Sequence, residues 1–309
     1  MSIRLVLCGV LAAGAIMVSP AVATPRPVAY VLPGAAVFPE GVAFERDTGR
    51  FFVSSTNDGS ILRGHVSEPA ASPFIPGTTG PFSSIGLEIS AARLYVAGGS
   101  TGTARIYHAA SGALLGSFAS GPSGFMNDVA VAKSGDAFVT DSFRPILWRI
   151  PAGSSGAPGV LEPWLTYAGT PIQYTPVPDD FEVNGIVARP DGRYRVVVHS
   201  NTGKLFRIGI ATRRVVEIDL GGASVNGDGL QLVGRTLYAV ADGAIVEIRL
   251  SGDLTSGDVV SRTTDPSFFS PTTNAIARGR MLVVNSQFDR LFSGQPPVLP
   301  FTVSSIRIP

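Results

Sequence analysis

Residues 38–55 read FPEGVAFERDTGRFFVSS. A polar residue leads a run of alternating apolar positions, a turn with Gly and charged residues follows, and a second apolar run closes the phrase. That is the pattern of two adjacent antiparallel strands joined by a tight turn. The phrase returns as SSIGLEISAARLYVAGG from Ser83, NDVAVAKSGDAFVTDS from Asn127, NGIVARPDGRYRVVVHS from Asn184, DGLQLVGRTLYAVADG from Asp228 and TNAIARGRMLVVNS from Thr273. The leading residues fall at 40, 83, 127, 184, 228 and 273, at intervals of 43, 44, 57, 44 and 45 residues.

Repeats of this length without a helical period are the signature of β-propeller blades. The reading is an all-β, six-bladed propeller. The isolated run PVAYVLP (27–33) and the terminal run FTVSSIRIP (301–309) supply strands from opposite ends of the chain, and they are expected to pair in the last blade and close the ring. The 36 Gly and 24 Pro, spread evenly among Val, Thr, Phe and Tyr, fit many short strands with tight turns.

Ahead of the first blade, MSIR, the apolar LVLCGVLAAGAIMV and the small-residue site Ala21-Val22-Ala23 have the three regions of a secretory signal peptide. The expectation is a cleaved segment 1–23 and a single propeller domain over 24–309, exported to the extracellular space or a periplasm. An apolar run of fourteen residues is short of the ~20 that a spanning helix needs, so no membrane attachment is expected after cleavage. Cys8 is the sole cysteine. Residues 24–309 therefore have no disulfide, thiolate metal site or cysteine nucleophile. Lys133 and Lys204 are the only lysines, the acidic and basic side chains of 24–309 balance, and no basic stretch is present to follow a phosphate backbone. Nucleic acid is excluded on that ground. A monomer acting on a small molecule is expected.

The first strand of each blade lines the central channel, so the leading residues Glu40, Ser83, Asn127, Asn184, Asp228 and Thr273 are expected to ring its mouth. Glu40, Asn127, Asn184 and Asp228 offer two carboxylates and two amide carbonyls. An all-oxygen set of this charge suits one divalent cation, Ca²⁺ first, with Mg²⁺, Mn²⁺ or Zn²⁺ as competitors. A cation with open positions polarises a carbonyl and lowers the pKa of bound water, as hydrolysis of an ester or lactone requires. The ends of the second strands, Ser55, Asp141, His199, Asp242 and Asn285, should return to the same face, with Asp141 and His199 as substrate contacts. The longest interval carries an insertion in 151–180, and Trp164, Tyr167, Tyr174 and Phe181 either wall a pocket beside Asn184 or pack on an outer strand.

The segments PEGVAFERDTGRFFVSS at Pro39, MNDVAV at Met126, VNGIVARPDGR at Val183 and NGDGLQL at Asn226 resemble the senescence-marker-protein, gluconolactonase and luciferin-regenerating-enzyme family, across essentially all of 24–309. The resemblance implies a six-bladed propeller with one divalent metal in its channel and Ca²⁺- or Zn²⁺-dependent lactonase activity. It makes Glu40, Asn184 and Asp228 direct ligands, Asp228 the base that activates water, and Asn127 a substrate contact that reaches the metal through water. The animal sugar-lactone hydrolases of the family carry an arginine where this chain has Phe125, which turns the expected substrate from a polyhydroxylated acid toward a more apolar lactone or ester. Two other functions compete: a metal-stabilised propeller that binds without turnover, and a condensing enzyme like the strictosidine synthases.

Overall fold

The computed structural model describes residues 27–77, 83–153, 158–175, 177 and 180–309. The segment 1–23 lies outside them. Six four-stranded antiparallel sheets surround a central channel, forming a six-bladed β-propeller. The innermost strands of blades 1 to 6 are Pro39–Glu45, Leu87–Ser90, Met126–Val131, Val183–Ala188, Gly227–Val233 and Pro271–Ala277. Each pairs with the strand after it in sequence, as the repeated phrase predicts.

The second strands explain why those runs are almost wholly apolar. Each strand has a neighbouring blade on both faces, so alternate side chains enter two different cores. In blade 1, Phe51 and Val53 pack toward blade 6, whereas Phe52 packs toward blade 2. Among the described residues six such clusters occur, one at each junction between neighbouring blades. Truncating a fully buried Phe such as Phe51 or Phe52 to Ala removes about 3–5 kcal/mol.

Ring closure follows the expected pairing. Ala29–Leu32 is the outermost strand of blade 6 and runs antiparallel to Phe301–Arg307, with Ala29 opposite Ser304 and Leu32 opposite Phe301. Tyr30 and Phe301 are buried there beside Phe38 and Phe51. Among the described residues no helix is long and apolar enough to cross a membrane.

At the channel the six innermost strands come into direct contact. A Cβ at Gly41 would lie 2.4 Å from the Ile85 carbonyl, one at Gly86 2.7 Å from the Asn127 carbonyl, and one at Gly185 2.1 Å from the Asp228 carbonyl. Glycine at this position is a steric requirement of close approach. It also fixes the equivalence between blades. The residue just before the glycine is the ring residue, so blade 2 contributes Ile85 and blade 6 contributes Thr272. Ser83 lies two residues outside the ring, its carbonyl accepting from Arg105 Nη1 at 2.8 Å, and Thr273, like Asp128 in blade 3, takes the position that glycine holds in the other four blades.

Deleting 301–309 removes the strand that joins Arg280–Asn285 to Ala29–Leu32. Thermal unfolding followed by circular dichroism should lose its sharp transition and shift down by more than ten degrees, on the order expected for a loss of several kcal/mol.

Candidate metal centre at one mouth of the channel

A cavity of about 160 Å³ opens at the mouth formed by the starts of the innermost strands. Glu40, Asn127, Asn184 and Asp228 form its polar floor, with Ile85 beside them, and Phe125, Phe181, Phe288 and Phe292 form its apolar collar. The four polar residues named from the sequence thus share one wall. Among the described residues no Lys, Arg or His lines it.

The ring residues are held at the blade junctions, Asn127 by its side chain and others by their backbone carbonyls. Asn127 Nδ2 donates to Ser142 Oγ at 2.8 Å, and Ser142 Oγ donates to the Val183 carbonyl at 2.9 Å. The amide is thereby oriented with its oxygen toward the cavity. Thr140 Oγ1 donates to the Asn184 carbonyl at 2.7 Å, Ser54 Oγ to the Ile85 carbonyl at 2.7 Å, and Thr272 Oγ1 to the Glu40 carbonyl at 2.9 Å. These hydroxyls tie ring residues to a neighbouring blade. Thr273 Oγ1 reaches Glu40 Oε1 at 3.4 Å, a long contact.

What remains unpaired is informative. Glu40 Oε2, Asn127 Oδ1 and Asn184 Oδ1 are buried without a hydrogen-bond partner. A buried polar atom left unpaired costs about 1–3 kcal/mol, so three oxygens from three blades converging on one cavity form a cradle for an electropositive centre. Among the described residues no cluster of three or more His, Cys, Asp or Glu forms a metal cage; here two carboxylates are completed by two amides. This donor set fits a hard divalent cation.

The electrostatics have the same sense. Burial raises Glu40 well above the usual carboxylate range, and repulsion from Asp228 and Asp128 adds to it. Asp228 is pushed up to about 7 by burial and then by Asp128, against a hydrogen bond from Asn184 that favours its charged form. Asp128 is itself pushed up to about 6 by burial, although the Ile186 and Val129 amides donate to its carboxylate at 3.0 and 2.8 Å. These acids repel one another across a channel in which the described residues place no cation.

The second-strand residues have a different role. Asp141 is fully buried and accepts from the Phe125, Phe143 and Arg144 amides, from Arg144 Nε at 2.8 Å and from Trp148 Nε1 at 3.1 Å. Asn285 repeats the first of these in blade 6, accepting from the Phe269 amide at 3.1 Å. Both brace the loop entering the innermost strand. Nor does His199 line the cavity: buried at 1 %, its Nε2 lies 2.9 Å from Glu182 Oε2 and 2.9 Å from the Gln173 carbonyl. Ser55 Oγ donates to the Val37 carbonyl, and Asp242 is exposed in a turn. The expectation that Asp141 and His199 touch substrate gives way to one of support, because second-strand ends point into the blade loops.

Of the insertion aromatics, Trp164 and Tyr167 are buried in the core between blades 3 and 4. Tyr174 donates from its hydroxyl to the Asp141 carbonyl at 2.6 Å and stacks on Tyr167. Only Phe181 lines the cavity, its ring centroid 4.9 Å from that of Phe125 and 5.2 Å from that of Phe143. Sequence reasoning missed Ile85, which alignment on Gly86 would have found. It also missed Phe288 and Phe292, on the short helix Phe288–Phe292 after blade 6's second strand, which no repeat marks. The pentapeptide Gly98-Gly99-Ser100-Thr101-Gly102 has the spacing of a serine nucleophile elbow, but it forms the turn between two strands of blade 2 and not a strand-to-helix turn.

No family model matches the chain, and no curated protein does. Solved structures match in fold. The major allergen Mala s 1 of Malassezia sympodialis superposes with a TM-score of 0.65 at 12% identity, covering 91% of this chain and 96% of that one. A calcium-binding protein, regucalcin, from Agrobacterium tumefaciens gives 0.61 at 15% identity, covering 90% and 96%. Virginiamycin B lyase from Staphylococcus aureus gives 0.59 at 10% identity, covering 91% and 98%. At these identities the likeness establishes the six-bladed propeller. Its neighbours include both a calcium-binding protein and an enzyme.

A raised carboxylate pKa means that the folded chain holds its proton more tightly than the unfolded chain, whose Asp titrates near roughly 3.9. The stabilisation from protonated Asp228 is complete below that value and lost as pH rises toward about 7. In metal-free protein, urea titrations between pH 4 and 8 should show Asp228→Asn gaining stability relative to the parent as pH rises. A constant difference would contradict the assignment.

Proposed function

We propose that this protein is a divalent-metal-dependent hydrolase of apolar lactones or related esters, with Ca²⁺ as the preferred ion, acting outside the cytoplasm. The observation that carries the reading is the set of unpaired oxygens of Glu40, Asn127 and Asn184 on one cavity floor with Asp228. The four residues would hold the ion, Asn127 directly or through water, and a bound ion supplies Lewis-acid polarisation of a carbonyl and a more acidic water. Regucalcin, a calcium-binding protein of the same fold, supports the choice of cation.

Chain residues account for the remaining requirements. Asp228, on the cavity floor beside the unpaired oxygens, is the carboxylate placed to take a proton from water as general base. Phe125, Phe181, Phe288 and Phe292 exclude water from the floor and provide the contact surface for an apolar group. The absence of a basic side chain from the lining disfavours sugar acids and phosphate esters, whose negative charge would meet two carboxylates.

Glu40→Gln keeps the side chain's size and removes one of two floor charges, so calorimetric Ca²⁺ affinity should fall at least about tenfold, since charge count tunes such sites. Lactone hydrolysis should fall with it and recover in part at high Ca²⁺. Asp228→Asn should stay inactive even when the site is filled. Chelator-resistant turnover, or ion binding untouched by Glu40→Gln, would reject the reading. Ion binding without turnover across aliphatic and aryl lactones and esters would leave a binding protein.

The apolar collar has its own expected outcome. Phe181→Ala should lower kcat/KM for aryl and long-alkyl lactones by roughly 10-fold or more, in line with ~1.5–3 kcal/mol for a buried aromatic contact. Its effect on gluconolactone should be small, and Phe125→Arg should shift the ratio of the two rates toward gluconolactone. An unchanged ratio in both variants would remove the collar from substrate selection.

A further inference from the structure

The channel has a second polar cavity, separated from the first by the glycine contacts of the innermost strands. It encloses about 240 Å³, and its polar lining comes from Glu88, Asp128, Gln231, Thr273 and Asn274, contributed by blades 2, 3, 5 and 6. No basic residue lines it, and among the described residues no ion pair joins Glu88 or Asp128 to an Arg, Lys or His. Arg46 lines the adjoining groove, which shares Glu88 and Gln231.

Asn274 points to a polar ligand. It is 3% exposed, and both Oδ1 and Nδ2 of its amide lack a partner. The equivalent residues of the other blades, Val42, Leu87, Val129, Ile186 and Leu230, are apolar and belong to the inter-blade cores, so a buried amide here departs from the repeat. Asp128 is equally exceptional, standing where Gly41, Gly86, Gly185 and Gly229 stand in other blades. Both departures from the repeat put polar groups on one cavity, and Glu88 and Gln231 join them from positions held by Ala43, Ala130, Val187 and Ala275 elsewhere.

We propose that this cavity binds a second, hydrated divalent cation of the Ca²⁺ class. Glu88, Asp128 and the amide oxygens of Gln231 and Asn274 repeat the chemistry of the first floor, with two carboxylates and two amides. Asp128 keeps its position through the Ile186 and Val129 amides, which use one side of each carboxylate oxygen, and its remaining lone pairs are available. The volume accommodates an ion with several waters, each occupying ~30 Å³ of liquid, and one of those waters accepts from Asn274 Nδ2. An ion here offsets the repulsion between Glu88 and Asp128 and also that between Asp128 and the first floor, so the two sites share one column of carboxylates.

The test is calorimetric titration of metal-stripped protein with CaCl₂, with melting curves in chelator to establish that each variant is folded. The parent should take up two equivalents. Glu88→Gln should weaken one of them at least about tenfold and leave the other near its parental affinity, whereas Glu40→Gln should weaken the other. Gln231→Glu, which adds a third carboxylate, should tighten the equivalent that Glu88→Gln weakens by about tenfold. This reads the second cavity even if Glu88→Gln does not fold. A single equivalent in the parent, removed by Glu40→Gln, would overturn the proposal while leaving the first site intact. So would two equivalents indifferent to both Glu88→Gln and Gln231→Glu. Loss of the Glu40-dependent equivalent alone would refute the proposed function and not this inference.

Discussion

The structure depends on how closely six innermost strands approach around one axis. Where Gly41, Gly86 and Gly185 meet the carbonyls of the next blade there is no room for a methyl group. Hydroxyls from Ser54, Thr140 and Thr272 bind the carbonyls of ring residues across the junctions of blades 1 and 2, 3 and 4, and 6 and 1. The consequence is a narrow channel whose wall is backbone, and in which a few side chains at fixed positions set the chemistry of each mouth.

Burial in that channel gives ordinary residues unusual properties. Glu40, Asp128 and Asp228 are all raised above the carboxylate range chiefly by loss of water, with Asp128 adding to the shift of the other two and Asp228 to that of Glu40. Such a column of acids is tolerable when protons or cations accompany it. Stability and ligand affinity are coupled here, since what weakens the empty channel is what attracts a cation to it. Six apolar junctions, each filled from two blades, supply the framework that holds these groups together.

The repeat made Glu40, Asn127, Asn184 and Asp228 legible as one group before any contact was known, because equal spacing in a propeller means equal position around the axis. It misplaced Ser83 and Thr273, since intervals counted between polar residues ignore which residue precedes the close-contact glycine. Asp141 and His199 looked like pocket residues because second strands return to the same face. Their partners, the Phe125 amide and Trp148 for one and Glu182 for the other, show that such ends brace loops. Trp164 and Phe181 lie within and just after one irregular stretch, and composition could not separate the residue in the core from the residue at the cavity.

Local information determined what is periodic: strand alternation, six blades, the pairing of 27–33 with 301–309, and a ring of oxygen donors at one mouth. Strands, blades and donor ring follow from local chain geometry repeated six times, and the terminal pairing from the need to close that ring. Only the tertiary structure decided which donors are left unpaired, that Phe288 and Phe292 from blade 6 share a cavity with Phe125 and Phe181, and that Asp128 and Asn274 line a second one. Those outcomes depend on distances between residues of different blades, which only closure of the ring brings within contact range.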